Sequence, residues 1–559
     1  MGQTVLLQTG AGAVEQVPRE VNSNKEKERQ ILFIPHLSSS AARPYALVLA
    51  IFTVALSAHA GIVRPFESDE AVVQANRIDD LVFSTLHKRG IEPANLCSDE
   101  VFIRRVYLDV IGTLPEPRVV RRFLQNRRPG KRAALIDALM TRDEFADYWA
   151  LKWCDLLRVK AEFPINLWPN AVQAYHRWIR DSIRENKPYD EFVRELLTSS
   201  GSNFRVPPVN FYRAIQGQNP SAIASAVALT FMGTRIQGWP ETRRAGMEAF
   251  FSRVAYKGTA EWKEEIVHLD PAPTGSLEAV FPDGVTVRIP PGEDPRLVFA
   301  DWLVAPDNPW FARNIVNRLW CWLLGRGIIN EPDDLRPDNP PVHPELLAYL
   351  EKELLNADYD LRHIYRLILN SRTYQQSSIP RSDHPDAEIL FAHYPVRQLD
   401  AEVLIDALCW IFGPGESYSS PIPEPFTFVP TRQRTMMLAD GSITSQFLEM
   451  FGRPARDTGL ESERNNEPTD AQRLHLLNST HIQRKIERSW WLRELMRTSK
   501  GNARLLIDAM YLKILSRHPT QSEIAEIEEY ARDSGVNPQQ AVSDLAWTLV
   551  NTKEFLYRH

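Results

Sequence analysis

The densest group of residues able to do chemistry lies between Arg453 and His475. It comprises Arg453, Arg456, Asp457, Glu461, Glu463, Arg464, Glu467 and His475. Carboxylates interleaved with arginines suit a metal site or a paired acid and base. They equally suit a salt-bridge network pinning a loop to the next helix. Pro468-Thr469-Asp470 reads as the start of that helix, whose positive end acidic residues would favour. His475 and Asn478 fall one turn apart on it. Glu461, Glu463, Arg464, Glu467 and His475 are the candidate catalytic residues. A second acidic group, Glu331, Asp333, Asp334, Asp338 and His343, occupies a proline-rich loop. Asp333, Asp334, Asp338 and His343 are the candidate metal ligands, because oxygen-rich loops suit calcium. The order of an EF-hand is missing, and Asp333-Asp334 before Pro337 also reads as simple turn chemistry.

Other chemistries lack their signatures. The four cysteines, Cys97, Cys154, Cys321 and Cys409, form no CxxC or CxxCH phrase, and no HExxH, GxGxxG, GxxxxGK or GxSxG is found. No haem, zinc, phosphate-loop or serine-hydrolase motif is therefore read. Three cysteines adjoin tryptophan in apolar stretches, as buried free thiols would; one disulfide is the alternative. Fourteen tryptophans invite a sugar-platform reading. Trp149 and Trp153, four apart, fit a core stripe better. A net charge of −6 over 559 residues implies no broad basic face, which argues against nucleic acid as a partner.

The elements that must position these residues read as helix after helix. Apolar residues recur at helical spacing over 101–110, behind a Ser98-Asp99-Glu100 cap, and over 135–140, 148–159, 171–183 and 189–197. Residues 221–232 form a small, apolar, buried helix. Residues 256–292 differ. Short strands are expected at 266–269, 277–281 and 285–289, with a turn at Pro282-Asp283-Gly284. Residues 296–559 are helical again, broken by proline-rich loops at 337–344 and 421–430; the second reads as a packed surface loop or a flap. An internal echo links Tyr107-Leu108 and Leu114-Pro115 to Tyr511-Leu512 and His518-Pro519. Each leads to a second apolar helix that ends in Glu144-Phe145 or Glu554-Phe555. Two copies imply duplicated hairpins, since a solenoid needs at least three.

Tyr45 to Ser57 is uncharged and apolar, follows Arg43 and precedes Ala58-His59-Ala60. That is the order of an export leader with cleavage after Ala60. The alternative is an uncleaved anchor over 45–63, which is short for a span. The 44 residues before it are either a mis-assigned start or a cytosolic tail. The expected location is periplasmic or cell-envelope, with membrane contact only through an uncleaved leader.

The phrase Ser98-Asp99-Glu100-Val101-Phe102-Ile103-Arg104-Arg105-Val106-Tyr107-Leu108-Asp109-Val110-Ile111-Gly112 resembles the opening of a domain of unknown function associated with planctomycete cytochromes. Asn317-Arg318-Leu319-Trp320, Pro341 to Leu347, Tyr374 to Ser378, Phe451-Gly452-Arg453-Pro454, Glu463-Arg464 and Leu474 to Asn478 resemble its usual C-terminal companion. The resemblance spans about residues 70–559. It implies an exported protein, with a c-type cytochrome or other exported proteins as partners. Members of that family commonly carry Cys-x-x-Cys-His after the small apolar helix; this chain has Gly233 to Pro240 without cysteine or histidine. Many also carry Cys-Glu-Cys-Glu-Arg; this chain has Leu460-Glu461-Ser462-Glu463-Arg464. The joint loss implies one redox or metal centre in relatives that is missing here, hence no haem and no cofactor beyond calcium.

The expectation is thus a mainly α protein of two modules, 67–255 and 293–559, around a β insert or linker at 256–292 with its strands near 262–291. It acts as an exported binding or scaffold protein. The alternatives are an extracytoplasmic hydrolase or metal-dependent enzyme on polysaccharide, and a docking partner of a c-type cytochrome.

Overall fold

The computed structural model describes residues 65–68, 70–429 and 433–559. The leader and the 44 residues before it lie outside these. The fold is mainly α with small β elements, as its periodicities imply. Among the described residues no helix is long and apolar enough to cross a membrane.

Local sequence sets the helix boundaries. Ser98 accepts from the Val101 N–H and starts helix Asp99–Ile111; Gly112, at φ 60°, ends it. Asn219 does the same for the small apolar helix Pro220–Met232, which ends on Gly233 at φ 61°. Helix Asp143–Leu156 buries Trp149 and Trp153 as a stripe. All four cysteines are free thiols.

The β region is larger than its sequence suggests. Strand Val254–Gly258 pairs antiparallel with Glu265–Leu269, whose other edge takes Gly201–Ser202. The first strand therefore begins two residues before the expected insert. Only Ser252-Arg253, without glycine or proline, separates it from the apolar Ala249-Phe250-Phe251, so its start is weakly marked. A separate hairpin pairs Leu277–Val280 with Thr286–Ile289, closed by the expected turn through Phe281 and Val285 (2.9 Å).

The echo in the sequence is an echo in space, with one more helix than expected. Helices Asp99–Ile111, Pro117–Gln125 and Lys131–Met140 correspond to Ala503–Ile514, Gln521–Asp533 and Pro538–Val550. Pro129-Gly130 breaks the first copy, with Gly130 at φ 77°. Gly112 and Ser516 occupy equivalent turns, at φ 60° and 62°. The copies face each other: Arg104 donates to the Ile514 and Phe555 carbonyls at 2.8 and 3.0 Å. The proline-rich loop packs Phe426 against Trp168 and Trp262 and leaves Phe428 exposed. One continuous apolar core runs through both helical segments. Residues far apart in sequence therefore meet at the junction between them.

Candidate functional site

Helix Asp143–Leu156 turns Lys152 and Asp155 toward this junction, among aromatic side chains. From the other segment come Asp400 and Glu402, at the start of helix Ala401–Phe412, and Arg453, Arg456 and Arg464 of the following loop. Arg464 bridges the two segments, with Nη2 2.7 Å from Asp155 Oδ2 and Nη1 2.8 Å from Glu402 Oε2. Arg456 Nε donates to Asp155 Oδ1 at 2.9 Å, and Arg453 Nε stands 3.4 Å from Glu402. Asp400 takes Lys152 at 3.2 Å and Arg558 at 2.9 Å. Arg558 and Arg397 also reach Asp109, which accepts from Tyr374 and Tyr394. Burial opposes ionisation of Asp400 and Glu402, but the cations outweigh it. Lys152, Arg558 and Arg464 hold Asp400 well below the usual carboxylate range, and Arg464 draws Glu402 down to about 2. The lattice is a set of charged pins joining helix to loop across the junction.

The candidate acid–base residues are distributed around this lattice. Glu463 accepts from the Asp457 N–H at 2.8 Å and from Thr458 Oγ1 at 2.9 Å, closing its own loop. Glu461 accepts from Trp322 Nε1 at 2.9 Å and stands 3.6 Å from Arg318. Burial raises its carboxyl; Arg318 and Lys152 offset part of that. Glu467 is exposed. His475 joins a different group, 3.2 Å from His481, which stands 3.0 Å from Glu416. Burial, then His481, lowers its pKa. The five candidates therefore do not converge on one point.

The four candidate metal ligands do not converge either. Asp333 is buried against Arg318 and accepts from the Glu461 N–H at 2.6 Å. Asp334 and Asp338 both lie on Arg336, at 2.7 and 3.3 Å. His343 precedes helix Pro344–Asn356 and stacks on Phe391. Among the described residues no group of three or more His, Cys, Asp or Glu is placed to hold a metal ion. The acidic run is dispersed because the arginines between and below its members draw each carboxylate a different way.

Sequence reasoning missed Arg318, Asp155, Asp400 and Glu402. One signal was available: Arg318 is a fully buried arginine in the apolar run Asn317 to Leu324, a placement that demands a paired carboxylate. Asp155 and Glu402 carry no comparable local mark.

The two segments that depart from the family pattern do meet. A cleft of about 470 Å³ is lined by Arg235 and Gln237 of the first and by Asp457, Thr458 and Leu460 at the second. Its floor is the small apolar helix, through Ala222, Ser225, Ala226 and Leu229, and Arg158 closes one side. Gly233 leaves no room for a Cβ, which would fall 2.9 Å from the Pro332 carbonyl.

The fold and this junction define a mainly helical protein whose two segments are joined by buried charge around a cleft. Residues 77–238 match PSCyt2, described as a protein of unknown function (DUF1549), and residues 295–531 match PSD1, a protein of unknown function (DUF1553). The chain belongs to the family that carries this pair of domains. No curated protein and no solved structure matches it.

Proposed function

We propose that the chain is an exported helical binding or scaffold protein that works without a haem of its own. The observation that carries this reading is the commitment of Glu463 and Arg464 to partners within the protein. A catalytic acid or base must reach the proton it moves, with a pKa near the working pH. Glu463 is spent on its own loop, and Arg464 is locked between Asp155 and Glu402. Such groups hold geometry. Among the described residues, the cleft walls carry guanidinium, amide, carboxylate and aliphatic groups and no thiol. Export rests on the leader at 45–60 alone.

The test is the native mature protein. N-terminal sequencing should start after Ala60, and absorption and elemental analysis should give no Soret band and no stoichiometric iron. A haem spectrum would overturn the haem-free reading, and a chain starting near Met1 would overturn export. Turnover of a polysaccharide that disappears in a folded Glu463→Gln variant would overturn the scaffold reading.

A further inference from the structure

Among the described residues, the junction cleft holds one cation with no counter-ion. Three charged side chains line it. Arg235 pairs with Glu331 at 3.6 Å, and Asp457 pairs with Lys160 at 2.7 Å. Arg158 is in no ion pair among the described residues, although only 5% of it is exposed. Its Nε donates to the Thr458 carbonyl at 2.9 Å, while Nη1 is buried with no partner. Nearby, the Tyr175 hydroxyl is also buried with no partner. Burial pushes the Arg158 guanidinium down to about 10; Tyr175, Glu463 and Asp333 offset only part of that.

Several local features keep the side chain there. Arg158 follows the end of helix Asp143–Leu156 in a left-handed backbone conformation, φ 57°, which an L-residue bearing a Cβ adopts at a cost. Gly459 permits the approach, since a Cβ there would lie 2.8 Å from the Arg158 Cζ and Nη2. A desolvated guanidinium without a carboxylate is expensive unless an anion completes it. Ile215, Ala226, Leu229 and Leu460 give the cleft an aliphatic face beside its polar groups, and its volume suits a small molecule.

We propose that this cleft binds a small organic carboxylate, its anionic end on Arg158 and its hydrocarbon body on the aliphatic wall. The proposal rests on the binding reading above and gives that reading a ligand class. Calorimetry on the full chain should show saturable binding of hexanoate. Acetate should bind at least about tenfold more weakly, because each buried methylene adds roughly fourfold. Inorganic sulfate, the other source of an oxyanion, should bind no better than acetate. Arg158→Gln should abolish hexanoate binding. Ser225→Glu, placed on the half-buried cleft wall, supplies an internal carboxylate and should also abolish it in a chain whose circular dichroism is unchanged. Undetectable hexanoate binding to the unsubstituted chain, or binding that survives Ser225→Glu, overturns the site. Sulfate binding more tightly than hexanoate overturns the ligand class. These failures leave the scaffold reading standing, because that reading falls to polysaccharide turnover.

Discussion

Arg464 and Arg158 are two guanidiniums withdrawn from water at the same junction, and their surroundings are opposite. Arg464 lies between Asp155 and Glu402, and its pKa is held well above the ordinary value although burial opposes charge. Among the described residues Arg158 has one carbonyl and no carboxylate, and burial lowers its pKa to about 10. Burial alone does not say what a charge is for. A paired charge fixes the junction, whereas an unpaired one at the edge of a cleft is left to be completed from outside.

The comparison can be broken most directly at Arg464. Arg464→Met strips a partner from both Asp155 and Glu402 and should cost about 3 kcal/mol or more, read from urea unfolding. A loss below about 1 kcal/mol would mean the lattice does not hold the junction. Acid should act through the same pins. Glu402 is drawn below its unfolded value of 4.5 to about 2. Its contribution to stability is therefore complete above the unfolded value and is lost as pH falls through the folded one. Melting temperature should stay level near neutrality and drop between about pH 4.5 and 2; in Glu402→Gln that drop should be shallower. At the end of the small apolar helix, Gly233→Ala places a Cβ against Asn314, Leu335 and the Pro332 carbonyl at φ 61°. It should cost about 2 kcal/mol, seen as a lower denaturation midpoint. Arg158→Met should change stability by less than about 1 kcal/mol in either direction, since only one carbonyl bond is lost and no carboxylate is stranded. A loss as large as that of Arg464→Met would erase the distinction. Glu467→Gln, on an exposed side chain, should stay within about 0.5 kcal/mol.

Much of the fold was legible in the chain. Ser98 and Asn219 announce their helices by cap chemistry, Pro282-Asp283-Gly284 announces its hairpin, and the paired phrases around Tyr107 and Tyr511 announce a duplicated unit. These signals are local, written within a few residues of the feature they specify. The strand Val254–Gly258 was less legible, since the turn before it carries Ser252-Arg253 and no glycine or proline. The candidate site was legible in part. Glu461 and Arg464 do stand at the junction, but their partners Arg318, Asp155 and Glu402 lie roughly 60 to 310 residues away in sequence.

The sequence by itself determined a mainly helical chain, its family, its apolar stretch at 45–57 and the absence of cysteine at two marked segments. Only the tertiary structure decided that those two segments line one cleft, that the acidic run at 331–343 is dispersed among arginines, and that Arg464 is paired while Arg158 is not. The reason is physical. Helix periodicity and capping act over one or two turns, but the free energy of a buried charge depends on which opposite charge the folded chain carries to within about 4 Å.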